Sequence, residues 1–213
     1  GTSRDVQASP MSNLATLGIA GRVHLVSMAP SDFRSVFTAM ERSDPDEVYF
    51  LAGQSSVGLS FEQPAETLES IVTGTLNMLE VMRLRRRRTR LYHAGSSECF
   101  GDTGGVRADE TTPFQPRSPY AVAKASAHWL VANYRESYGL HASTGILFNH
   151  ESPLRPRRFV TQKIIHGARR IAAGSDHAIL PPGPRARAHQ MVEYPMAEPI
   201  SNTVFAPVII TSC

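Results

Sequence analysis

Tyr120 and Lys124 are the residues whose types and spacing most directly suggest chemistry. Four positions apart on a helix, they share one face. A lysine ammonium beside a phenol favours the phenolate and draws its pKa down from about 10 toward neutrality. Such a phenol can take a proton from an alcohol while hydride leaves the same carbon. The pairing is notable because the chain has six tyrosines but just two lysines, Lys124 and Lys163. Three further polar clusters stand where strands are expected to end: Ala52-Gly53-Gln54-Ser55-Ser56, Gly95-Ser96-Ser97-Glu98 and Asn149-His150-Glu151-Ser152. Ligands of open α/β sheets bind beyond the carboxyl ends of the strands, so these clusters are candidates for an active-site rim.

The elements that must position them alternate in period. Val23–Met28, Glu47–Ala52, Arg90–Gly95 and Ala142–Phe148 read as strands, the second with both faces covered. Helices are expected from Ser31, capped by its side chain and stopped by Pro45, and from Pro64 into the arginine run. Two more run from Pro119 to Tyr138 and over about 159–173, stopped by Gly139 and Gly174. The alternation predicts α/β architecture with a doubly wound parallel sheet, incomplete at its start. It predicts a cofactor and catalytic domain over 1–174 and a divergent Pro/Arg-rich tail over 175–213, where Val204–Ile210 could form one more strand.

The string Ser118-Pro119-Tyr120-Ala121-Val122-Ala123-Lys124, with Ala94-Gly95-Ser96-Ser97-Glu98 before it and Gly145-Ile146-Leu147-Phe148-Asn149-His150-Glu151-Ser152-Pro153 after it, resembles the GDP-mannose 4,6-dehydratase family. That family is a branch of the extended short-chain dehydrogenase/reductases, and the resemblance covers roughly 2–174. It implies a Rossmann-like fold, NADP as cofactor and GDP-mannose as substrate. It implies that Tyr120 deprotonates the sugar C4 hydroxyl and that Lys124 holds the nicotinamide ribose. Ser96 would hydrogen-bond the C4 oxygen, Glu98 would remove the C5 proton and assist loss of water from C6, and Asn149 would contact substrate. Leu51, Ala52, Gly53, Gln54 and Ser55 would border the cofactor, with His150 and Arg155 on its side and Arg4 on the 2′-phosphate. A carboxylate beside the tyrosine suits a dehydration, which needs a second acid/base group that a simple dehydrogenase does not. The bland alternatives are a turn and a helix-end charge for Ser96 and Glu98, and plain surface for Arg4. The wider alternatives are another nucleotide-sugar epimerase or dehydratase and a non-catalytic remnant.

Composition narrows the partners. The net charge is +3, and 22 Lys+Arg contain 20 arginines, densest at Arg85-Arg86-Arg87-Arg88. That run is expected to be a solvated helix end rather than a nucleic-acid surface, for it has no interleaved aromatics. No apolar stretch is long enough for a membrane span, and the first residues show no secretory leader. Two cysteines suggest neither a disulfide framework nor a metal site, and fit the cytoplasm. The family's Gly-x-x-Gly-x-x-Gly phosphate loop does not occur in the sequence. The expectation is therefore a fragment with a catalytic centre but an incomplete cofactor site, one that lacks the first βα unit and the usual C-terminal part and need not be active alone, from relatives that are homo-oligomers when full length.

Overall fold

The computed structural model describes residues 1–157 and 159–174. They fall into a first compact unit over Gly1–Phe148 and a second beginning at Asn149. The tail expected over 175–213, with its possible strand, lies outside the described residues.

In the first unit every paired strand is parallel. β1 (Thr2–Ser3) pairs with β2 (Val26–Ser27). β3 (Glu47–Phe50), β4 (Arg90–Ser96) and β5 (Ala142–Leu147) form a second sheet with β4 in the middle. The expected single sheet is thus two sheets that share one core. The expected strand over Val23–Met28 shrinks to two residues, and β3 is not covered on both faces. Tyr49 is 41% exposed, while Phe50 beside it is buried.

Between β1 and β2 lies a short helix missed in the sequence, α1 (Ser12–Thr16). α2 (Phe33–Ser43) starts one residue later than expected. Its cap is Asp32, whose carboxylate accepts the Ser35 N–H at 3.2 Å, rather than Ser31. It ends with Asp44 in the left-handed region, ahead of Pro45. A second missed helix, α3 (Val57–Glu62), is capped by Ser56. The long helix expected after Pro64 is interrupted. α4 (Pro64–Leu68) passes through a π-turn, Glu69–Thr73, into α5 (Gly74–Arg85). α6 (Pro119–Tyr138) matches its expected limits, with Ser118 as cap, Pro119 in the first turn and Gly139 at φ 67° ending it.

The core gathers Val36, Ala39 and Met40 of α2, Met78, Leu79, Val81 and Met82 of α5, Phe50, Leu91 and Ala142 of the sheet, and Val131 and Tyr134 of α6. Each fully buried aliphatic side chain there contributes roughly 1.5–3 kcal/mol. The arginine run is held down on this scaffold. The Arg85 guanidinium bridges Glu41 and Asp44 of α2, Arg87 also meets Asp44, Arg83 meets Glu80, and Arg90 meets Glu47. Much of the charge that suggested a solvated helix end is therefore matched by carboxylates of the same chain.

The second unit contains α7 (Val160–Ala172), preceded by the loop from Asn149. No helix among the described residues is long and apolar enough to cross a membrane.

Candidate active site

Ser96, Glu98, Tyr120 and Lys124 come together where β4 ends and α6 begins. Ser96 is the last residue of β4. Its hydroxyl caps the short 3-10 helix Ser97–Phe100 by accepting the Glu98 N–H at 3.3 Å. The same hydroxyl is close enough to the Tyr120 phenol to lower its pKa. Glu98 is exposed and sits near enough to Tyr120 for its charge to act on the phenol. Ser118 accepts the Ala121 N–H at 3.1 Å, and this cap places Tyr120 in the first turn of α6, with Lys124 one turn further on.

Tyr120 is 9% and Lys124 6% exposed. The Lys124 ammonium donates to the Ala94 carbonyl at 2.8 Å and lies 5.9 Å from the centre of the Tyr120 ring. The electrostatics differ from the expectation that lysine draws the phenol toward neutrality. Burial pushes the Tyr120 pKa up, the Ser96 hydrogen bond opposes this, and Cys99 and Glu98 add to the rise. Desolvation of a phenolate outweighs a cation whose hydrogen bond is directed at a backbone carbonyl.

The segment after β3 is shaped by Gly53. Its φ is +127°, and an added Cβ would stand 2.9 Å from Ile71 Cγ1. Gln54 turns its side chain into the protein. Its Nε2 donates to the Ser56 carbonyl at 2.8 Å and to Thr67 Oγ1 at 3.2 Å, its Oε1 accepts the Ser56 N–H, and its own N–H donates to Ser70 Oγ. Ser55 is exposed, whereas Leu51 and Ala52 are half-buried. The π-turn is the hub of this arrangement. Ser70 holds Gln54, and Ile71 packs both on Gly53 and in a cluster with Tyr120, Ala123 and Ala127. π-turns inside helices are frequent at functional sites.

Arg4 is exposed and directly follows β1. Asn149, His150 and Arg155 belong to the second unit. There Arg155 donates to the His150 carbonyl, pairs with Glu151 at 3.1 Å and lies 4.0 Å over the Phe159 ring.

Two residues beside the cluster were missed in the sequence. Cys99 is buried under Tyr120, with its thiol pushed up to about 11, first by burial. His93, one residue before Ala94, is wholly buried. The only sequence signal for either was proximity to Ser96 and Glu98.

A family model described as GDP-mannose 4,6 dehydratase matches residues 2–193. The chain belongs to the GDP-mannose 4,6-dehydratase family. It is 48% identical over 151 residues to a GDP-mannose 4,6-dehydratase of Sinorhizobium fredii, covering 70% of this chain and 43% of that protein. It is 51% identical over 148 residues to GDP-mannose 4,6 dehydratase 1 of Arabidopsis thaliana, covering 68% and 41%. The chain thus spans about two fifths of the length of these relatives. Among solved structures, RMD from Pseudomonas aeruginosa complexed with NADPH aligns with a TM-score of 0.64 at 24% identity, over 82% of this chain and 61% of that one. That likeness shows a shared Rossmann-like fold.

Proposed function

We propose that the chain carries the proton-transfer residues of a GDP-mannose 4,6-dehydratase, which converts GDP-mannose to GDP-4-keto-6-deoxymannose with loss of water. The observation that carries this reading is the paired Tyr120 and Ser96 hydroxyls, with the Lys124 ammonium one helical turn away and Glu98 on the adjoining rim. Sequence identity near 50% to proteins bearing that name supports it.

The donor set fits a dinucleotide: a buried ammonium beside a phenol suits a ribose, and the resemblance to the family implies NADP. Lys124, Leu51, Ala52, Gly53, Gln54 and Ser55 would hold it from the first unit. Arg4 would take its 2′-phosphate. When bound, NADP would supply the hydride acceptor for C4 and the hydride donor for C6, so that it is recycled and the net change is loss of water.

The chain's own residues move the protons. Ser96 holds the C4 oxygen and Tyr120 takes the proton of the C4 hydroxyl. Glu98 takes the C5 proton, which the neighbouring 4-keto group has made acidic, and passes a proton to the departing C6 hydroxyl, so that water leaves; the proton held by Tyr120 is then the one available to C5 as C6 is reduced. A carboxylate is needed because C5–H and the C6 leaving group lie beyond the step that the phenol serves.

The test is incubation of the chain with NADP and GDP-mannose, followed by detection of the 4-keto-6-deoxy product. Glu98→Gln is expected to stop product formation and leave dinucleotide binding intact. Full dehydration by Glu98→Gln, or loss of dinucleotide binding, overturns the role given to that carboxylate. If the unsubstituted chain binds NADP and GDP-mannose but forms no product, the reading of this chain as catalytic fails.

A further inference from the structure

His93 has a set of partners that the chemistry above does not use. It lies on β4, 1% exposed, stacked on Phe50 of β3 with ring centres 6.3 Å apart. Its Nε2 is 3.3 Å from Thr75 Oγ1 of α5, and its Nδ1 is 3.4 Å from Thr144 Oγ1 of β5. The tautomer follows from the first threonine. The Thr75 hydroxyl already donates its one proton to the Ile71 carbonyl at 2.7 Å. Toward His93 it can only accept, so Nε2 carries the proton and Nδ1 accepts from Thr144. The residue that follows, Ala94, offers the carbonyl that receives the Lys124 ammonium.

We propose that His93, held as the Nε2–H tautomer between Thr75 and Thr144, is a positioning residue for Lys124. The imidazole ties α5 and β5 to β4 at the peptide that bears the Ala94 carbonyl. It does so with an uncharged group behind a buried ammonium. Burial, and then the nearby Lys124 and His128 charges, push its pKa down to about 3. Those two groups of α6 are the ionisable ones acting on it; from β3, α5 and β5 it meets Phe50, Thr75 and Thr144. A cation at this point would repel Lys124, and an aliphatic residue would leave the Thr144 hydroxyl without its acceptor. The inference deepens the reading of Lys124 given above, but its test needs no turnover.

The chain has two lysines, so Lys163→Arg leaves Lys124 as the single lysine. In that background the Lys124 side-chain nitrogen is expected to give a slowly exchanging ammonium resonance. The His93 ring nitrogens are expected to show protonated Nε2 and bare Nδ1. His93→Gln can donate to Thr75 and accept from Thr144, and should keep the ammonium resonance. His93→Leu should speed its exchange by about tenfold or more, through loss of local protection. Thr144→Val removes a single hydroxyl and should act in the same direction, which keeps the test decisive if His93→Leu does not fold. An Nδ1–H tautomer, or unchanged ammonium exchange in His93→Leu or, failing that, Thr144→Val, overturns the proposal. If the resonances behave as stated and the chain binds NADP and GDP-mannose without dehydration, the positioning role stands and the functional reading fails.

Discussion

The Lys124 ammonium donates to the carbonyl oxygen of Ala94 at 2.8 Å and lies 5.9 Å from the centre of the Tyr120 ring, one turn earlier on the same helix. A buried cation is costly to keep, and here a backbone carbonyl at the end of the strand compensates part of that cost. Lys124→Met should therefore separate stability from function. It removes a desolvated charge and keeps the apolar stem, so the thermal midpoint should stay the same or rise. Dehydration should fall by roughly 10²-fold or more, the cost of misplacing the dinucleotide that Lys124 is proposed to hold beside Tyr120. Melting curves and product assays on the same preparation check both halves.

Tyr120 yields a pH prediction of definite sign. Its phenol is raised above 10, first by burial, so at neutral pH it is protonated and only a small fraction is base. Activity should rise with pH from neutrality toward about 9, as the phenolate fraction grows. A group whose folded pKa is raised stabilises the fold below its unfolded value, and that stability is lost as pH climbs past about 10. Tyr120→Phe should remove this part of the alkaline loss. Tyrosinate absorbance of the native protein, less that of Tyr120→Phe, should give a midpoint above that of a free phenol.

His93 has the opposite linkage. Its folded pKa of about 3 lies well below 6.5, so the unfolded chain takes up a proton first as pH falls. The stability it contributes is complete above about pH 6.5 and is lost progressively down to about 3. At pH 4.5 the loss from this one group should be roughly 2–3 kcal/mol, from about 1.4 kcal/mol per pH unit between the two values. Denaturant midpoints at pH 7 and 4.5 should therefore differ less in His93→Gln than in the native chain.

The sequence and the structure agree where the deciding information is local. Ser118, Pro119 and Gly139 bracket α6 within its own sequence, and that helix puts Tyr120 and Lys124 on one face as the spacing implied. The carboxyl end of β4 likewise delivers Ser96 and Glu98 beside them. What failed to show depends on distant partners. The phenol's direction of shift is set by burial against Ile71, Ala123 and Ala127, which spacing does not reveal. His93 meets Thr75 and Thr144, which are 18 and 51 positions away. The break of the long helix into a π-turn was hidden because Leu68, Ile71, Val72 and Thr75 satisfy an α-helical period equally well.

The arginine run offers the last contrast. Arg85 and Arg83 are two residues apart on α5, and by sequence they look alike. The Arg85 side chain is 3% exposed and bridges Glu41 and Asp44 across the α2–α5 contact, tying down the left-handed residue that ends α2. Arg83 is far more open and pairs with Glu80 on its own helix. Arg85→Ala takes this partner from Glu41 and leaves Asp44 with Arg87 alone; both carboxylates are about half exposed, so the cost of breaking a buried pair is partly relieved by water. A loss of about 2 kcal/mol is expected. Arg83→Ala breaks a half-buried pair within one helix and a guanidinium contact with the Tyr138 ring, and should cost less than Arg85→Ala. Chemical denaturation of the two variants side by side decides the matter. Equal destabilisation would mean that the α2–α5 bridge is no stronger than the pair within α5.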